Sequence, residues 1–324
     1  MQDRVSARRH AGAAVVVATV LAGMLATHAA AAQDAPRFAG PLMSPAPPLP
    51  VGMLNIEPYL IHSRLRGVYD GKGHHRNADA PGGWHLSVPV QYGVHERVTL
   101  AATFNAMYDR DDGESRAFDV GDTSLSALVG LFNGGGSARP TLTLALRQSL
   151  ATGHHDRLED RSISVATGNG VRATSVGLHG QAYFLDDHLR MRASSAWRIP
   201  GSSTGVRGRS AYGTPDGFDG QVRVGAALAS LLAAEYSLSR SWVLAGELLH
   251  ERESAGSVHG TRPGDGGRVE FHRRDPASWR FSVVPAVQYH WNDNLALVAG
   301  VQVSVAGRNS SQVVAPQLAL NMVF

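Results

Sequence analysis

The 324-residue chain has no cysteine, one lysine (Lys72), and beyond Ala26 no apolar run long enough to cross a membrane as a helix. The first absence excludes a lipoprotein anchor, a disulfide framework, a thiolate metal site and a cysteine nucleophile. The third excludes a helical bundle in the membrane, because a spanning helix needs about 20 apolar residues. Charge of one sign is also lacking. The N-terminus carries Arg4, Arg8 and Arg9, an apolar stretch from Ala11 to about Ala26, and the small-residue run Ala29 to Ala32 ahead of Gln33. These are the charged, apolar and cleavage regions of a secretory signal peptide, residues 1–32, cut after Ala32. Its removal takes away three arginines and one aspartate, leaving 27 basic against 26 acidic side chains. A near-neutral mature chain is not a polyanion binder, so nucleic acid is not an expected partner.

What remains is rich in glycine and alternation. Residues 33–52, QDAPRFAGPLMSPAPPLPVG, hold six prolines. Proline lacks the donor a sheet needs and favours extended backbone. This predicts a periplasmic leader, lying in the periplasm or at a barrel mouth, either as a plug or as a disordered tail. Residues 53–324 then resolve into about twelve segments of strand length, with ten or fourteen as the alternatives. In the last segment Val314, Pro316, Leu318, Leu320, Met322 and Phe324 share one face, and Ala315, Gln317 and Asn321 the other. Leu189, Met191, Ala193, Trp197 and Ile199 likewise alternate with Arg190, Arg192, Ser194 and Arg198.

Alternation alone fits both a soluble sandwich, apolar face inward, and a membrane barrel, apolar face outward. Connection lengths separate them. Tight turns at 93–96, 186–187, 238–240 and 292–293, with a longer glycine-rich one at 133–139, alternate with long polar loops at 69–82, 109–119, 151–171, 200–217 and 253–276. That rhythm belongs to a barrel with small periplasmic turns and large external loops. Tyr92, Phe132, Phe184, Tyr236 and Tyr289 fall beside the short turns, and Trp84, Tyr108, Trp197 and Trp279 beside the long loops, as two interfacial girdles would. The predicted fold class is all-β, a transmembrane antiparallel up-and-down β-barrel of a Gram-negative outer membrane. Terminal Phe324, with Met322, Leu320 and Leu318 at alternate positions before it, resembles the C-terminal signal read by the outer-membrane assembly machinery.

Three fragments resemble the outer-membrane barrels of the phenol-degradation meta-pathway transporter-like family. They are YGVHERVTLAATF (Tyr92 to Phe104), VGDTSLSALVGLF (Val120 to Phe132) and RPTLTLALRQSLATGHHDRL (Arg139 to Leu158). The third departs from the family's P-T-G element, because Leu150, Ala151, Thr152 and Gly153 lack the proline. The resemblance implies a small barrel that moves hydrophobic or aromatic small molecules, and it carries no catalytic residues over.

With the apolar faces toward lipid, the charged residues Glu57, Asp122, Arg147, His179, Arg190, Arg192, Arg223, Glu247, Glu251 and Arg280 are expected to line the lumen. A charge on the lipid side costs about 2 to 4 kcal/mol near the midplane. Such charges either brace the wall by satisfying one another or form a selective filter, in which Arg147, Arg190, Arg192 and Arg223 would favour anionic or aromatic solutes. His74–His75 and His154–His155 are adjacent pairs whose side chains diverge on extended backbone, so neither predicts a metal site. Asp109, Asp111, Asp112 and Glu114 lack calcium-loop spacing. Ser175 and His179 are residue types a hydrolase uses, but their parity points them into the lumen, away from a membrane-facing catalytic wall. No cofactor is expected. The expected partners are outer-membrane lipid, the assembly machinery and an unidentified small solute, and the expected activity is passive passage, with a filled structural barrel as the alternative. Sequencing the N-terminus of the protein recovered from outer membranes should give Gln33 as the first residue; a start at Met1 would contradict the signal peptide.

Overall fold

The computed structural model describes residues 36–80, 82–108, 118–134, 140–160 and 166–324. The expected signal peptide and the acidic cluster Asp109 to Glu114 lie outside these residues. Twelve antiparallel strands form the wall: β1 Tyr59–Tyr69, β2 Gly83–His95, β3 Val98–Tyr108, β4 Thr123–Asn133, β5 Thr141–Leu150, β6 Ala173–Phe184, β7 Leu189–Pro200, β8 Ala227–Ser237, β9 Trp242–Glu253, β10 Ser278–His290, β11 Leu295–Arg308 and β12 Ser310–Val323. Each pairs with its neighbours in sequence, and β12 returns to β1 through Ser310↔Tyr69 and Leu318↔Leu60, which closes the barrel. Closure leaves no unpaired edge within the wall, the condition for a sheet to sit in hydrocarbon. The short strand Leu54–Ile56 continues β1 toward the turn end, pairing with β2 and β12 across the break at Glu57 and Pro58.

Side-chain parity follows the alternation. Leu100, Phe104, Leu125, Leu146, Leu178, Leu232 and Leu318 project outward and are exposed, whereas Thr99, Thr143, Glu235, Gln288, Ser304 and Gln317 point inward and are buried. At the turn end Trp242 and Trp291, neither assigned to a girdle from sequence, sit 4.8 and 5.2 Å from the Tyr289 ring. Tight turns need backbone in the left-handed region. Leu185, Asp186 and Asp187 take φ of 53°, 53° and 69° between β6 and β7, and Asn309 takes 49° between β11 and β12. Asp and Asn tolerate that region because their short side chains bond locally. The Asn309 turn is at the loop end, so one connection there is short. The β12–β1 pairing lapses at Ala315 and Pro316, and Pro316 has no amide proton to give.

Two sequence expectations are corrected. The alternation over residues 218–236 predicts a single strand, but the segment divides into Asp219–Arg223 and β8, and the loops 200–217 and 253–276 are not plain loops. Strands Thr204–Arg207, Asp219–Arg223, Gly256–Gly264 and Gly267–Asp275 form a separate four-stranded sheet at the loop end. Val206, Phe218, Val222 and Val258 make its core, with Phe271 edge-on to Phe218 at 5.5 Å. So few apolar side chains among Arg, Glu and His read as a polar loop. Residues 36–52, open from sequence between a plug and a tail, do not trail away. They arch through the turn-end half of the lumen, and Leu42 packs on inward-facing Val284, Val298 and Ala319.

Leu232 lies mid-strand, 55% exposed on the outer face, and Ala229 faces the internal cavity. Replacing Leu232 by Arg should cost about 2 to 4 kcal/mol of folding stability in lipid vesicles, read by urea unfolding, whereas Ala229→Arg should cost much less. Equal penalties would contradict the assigned orientation of the wall.

Candidate functional site

The lumen is divided by the arch. In its turn-end half, a carboxylate that sequence reading did not single out organises the interior. Glu235 on β8 is fully buried and accepts two hydrogen bonds from Arg190 of β7, Nε at 2.7 Å and Nη2 at 2.8 Å, a paired fork that gives strong, directional bonding. Arg192, two residues along β7, approaches the same carboxylate at 3.5 Å. Gln288 of β10 donates to Glu235 at 2.7 Å. Glu235 could have been found by parity counted back from the turn at Ser237, because β8 places Leu231, Ala233 and Glu235 on one face and the register sets Arg190 opposite Glu235.

These wall groups hold the arch. Gln288 accepts from the Ala39 amide at 3.1 Å and donates to the Gly40 carbonyl at 3.0 Å. Arg192 donates to the Pro45 carbonyl at 3.0 Å, and Glu247 accepts from the Met43 amide at 3.0 and 3.1 Å. Leu49 donates to Thr99 Oγ1 at 2.7 Å, which ties the returning limb to β3. The Arg190 guanidinium lies 4.6 Å over the Phe38 ring. At the mouth Arg37 bonds Asp293 in the β10–β11 turn and holds its carboxyl below the ordinary range. Six prolines leave the arch few amides, and the inward polar groups meet several of those it has. Gly300 makes the approach possible, since a Cβ there would come within 2.6 Å of Leu42 Cδ1. Burying Leu42 contributes about 2 kcal/mol.

Above the arch a cavity of about 840 Å³ runs from Pro41 and Leu42 to Trp279 and Ser310 at the loop end. Of the sequence-predicted residues, Glu57, Arg147, His179, Arg192, Glu251 and Arg280 line it. Arg280 bonds Glu251 at 2.6 Å across β9 and β10. Arg190 and Glu247 also face inward but are sealed among their partners at 5% and 2% exposure. The other two are elsewhere. Arg223 belongs to the outer four-stranded sheet, and Asp122 lies between Asp119–Val120 and β4, where it accepts from the Gly153 amide at 3.0 Å and the Asn169 amide at 2.8 Å. Both are corrected from lumen to loop end. The strand assignment had carried Arg223 with β8, and Asp122 has the chemistry of a loop brace.

His74 stands near Asp70, His75 bonds Gln312 at 2.7 Å, and His154 pairs with Asp119 at 3.1 Å, so each of these histidines has its own separate partner. Ser175 sits opposite Arg147 in the β5–β6 register, and Ser175 and His179 line the cavity.

The architecture is that of an outer-membrane β-barrel. It resembles a solved outer-membrane channel of Pseudomonas putida F1 with a TM-score of 0.63 and 16% identity, covering 88% of this chain and 99% of that one. The KdgM porin, solved with disordered oligogalacturonate, superposes with a TM-score of 0.40 at 9% identity over 81% of this chain and 97% of its own. The toluene transporter TodX of Pseudomonas putida gives 0.34 at 12% identity over 85% and 90%. No protein-family model matches the sequence, and no curated protein matches it. The likeness to the Pseudomonas putida F1 structure is one of fold, a closed antiparallel barrel.

Glu235→Gln removes the negative charge that Arg190 and Arg192 share and should destabilise the barrel by about 3 to 5 kcal/mol in urea unfolding, the range for breaking a buried ion pair. Glu251→Gln, at a partly exposed pair, should cost about 1 kcal/mol or less. A smaller penalty at Glu235 than at Glu251 would show that the inner cluster does not hold the wall together.

Proposed function

We propose that this chain is an outer-membrane channel for small molecules, acting by passive passage through a narrow, charged lumen that the arch of residues 36–49 restricts. The cavity of about 840 Å³, reaching from the loop end down to Leu42, is the observation that carries this reading. A twelve-strand barrel is intermediate between eight-stranded barrels filled by side chains and open 16- to 18-stranded porins, so a restricted passage is its physical expectation. The arch is held by hydrogen bonds and a few apolar contacts, and no covalent link fixes it. The arrangement implies a pathway that opens as those contacts are exchanged.

In this reading the chain is exported with residues 1–32 removed, and its wall meets outer-membrane lipid. The assembly machinery reads Phe324 with Met322, Leu320 and Leu318. Ser175 and His179 line the cavity and do not present a nucleophile to lipid, which favours transport over hydrolysis in this reading. The arginines of β7 are structural, because Arg190 and Arg192 are engaged by Glu235 and by the arch. The filling of the turn-end half by residues 36–49 favours a second reading, a structural barrel whose loop-end sheet is the working surface.

Planar-bilayer recording separates the two. The mature protein should give small single-channel conductance, and deletion of residues 36–49 should raise it several-fold while the barrel still folds. Absence of conductance in both would support the filled barrel and reject the channel.

A further inference from the structure

Among the described residues two arginines of the cavity lining, Arg147 and Arg252, have no carboxylate partner, and Arg252 stands at the loop-end limit of β9. Glu251 is engaged by Arg280 at 2.6 Å and Glu253 by Arg198 at 3.5 Å. Arg147, on β5, has no carboxylate partner among the described residues, and its one hydrogen bond goes from Nε to Ser126 Oγ at 3.3 Å, leaving the two Nη groups to the cavity. Beside it the wall is recessed. The register sets Ala145, Gly177, Ala196 and Ala229 in one row across β5, β6, β7 and β8, and all four line the cavity. The row bordering the recess on the loop side contains Arg147 and Ser175; the row on the turn side contains His179. His179 folds its ring over Gly177, where a Cβ would meet Nε2 and Cε1 at 3.2 Å. On the turn side of the recess His179 Nδ1 is buried without a hydrogen-bond partner.

We infer that Arg147 and the recess formed by Ala145, Gly177, Ala196 and Ala229 are a binding seat for a small organic monocarboxylate with a compact apolar body. The guanidinium takes the carboxylate through its two free Nη groups, the fork geometry that distinguishes arginine from lysine, while the body rests on the methyl-lined wall. An apolar recess with one oriented charged group is the usual composition of a small-molecule site. The assignment names the solute class of the proposed channel and moves the selectivity from Arg190 and Arg192, which are engaged, to Arg147.

Cyclohexanecarboxylate and its isosteric neutral amide, cyclohexanecarboxamide, are titrated at neutral pH into the full mature protein in detergent, with binding read by saturation-transfer NMR. The wild type should bind the acid about tenfold more tightly than the amide. Arg147→Gln should abolish that preference. Ala196→Leu, which fills the recess, should weaken acid and amide alike. Equal affinity of the wild type for both ligands, a preference retained in Arg147→Gln, or unchanged affinity in Ala196→Leu would overturn the inference, and the first comparison requires no variant to fold. Binding at equilibrium in detergent is independent of an open passage. Conductance without acid preference rejects this seat alone, and acid preference without conductance rejects the channel alone.

Discussion

A closed wall in hydrocarbon leaves a charged side chain of the membrane-spanning strands only one place to go, the inside, and this constraint shapes the rest of the structure. Lipid offers neither hydrogen bonds nor counter-ions, so the outward positions are taken by Leu100, Phe104, Leu178, Leu232 and Leu318. Arginines and glutamates are thereby concentrated in a narrow lumen, where each needs compensation. Glu235 answers Arg190 and Arg192, Glu251 answers Arg280, and Glu253 answers Arg198. The ion pairs are a consequence of the wall as much as a device for transport.

The same constraint explains the arch. Residues 36–52 bring apolar Leu42 and Met43 together with unpaired backbone amides and carbonyls, and the lumen offers matching apolar and polar partners. Their union buries Val284 and Val298 and meets the remaining demands of Gln288 and Glu247. The contacts are numerous and individually modest. Arg147, beside the small-residue row of β5 to β8, departs from this pattern of mutual satisfaction, and an unanswered charge set in a partly buried wall is where a ligand's charge is worth most.

At the loop end the chain builds with other means. The four-stranded sheet is held by Val206, Phe218, Val222 and Val258, and Asp122 gathers the backbone of the 151–172 connection through Gly153 and Asn169. In water, a carboxylate bonded to amides and a small apolar cluster suffice to order a loop, so these features follow no barrel parity.

The sequence by itself determined the barrel: about twelve strands and the inward or outward direction of β7 and β12 were legible, because a period of two is a local property and the lipid side tolerates no exceptions. Arg147, Arg192, Glu251 and Arg280 were placed in the lumen by that parity alone. Parity gives direction and says nothing of partners. That Arg190 meets Glu235, that Phe38 to Leu49 enter the lumen, that Arg223 leaves the wall for another sheet and that Arg147 has no carboxylate partner among the described residues were decided by tertiary structure. These depend on residues distant in sequence, Ala39 with Gln288 at 249 positions for instance, brought together by closure of the β12–β1 seam and by a register that no single strand encodes.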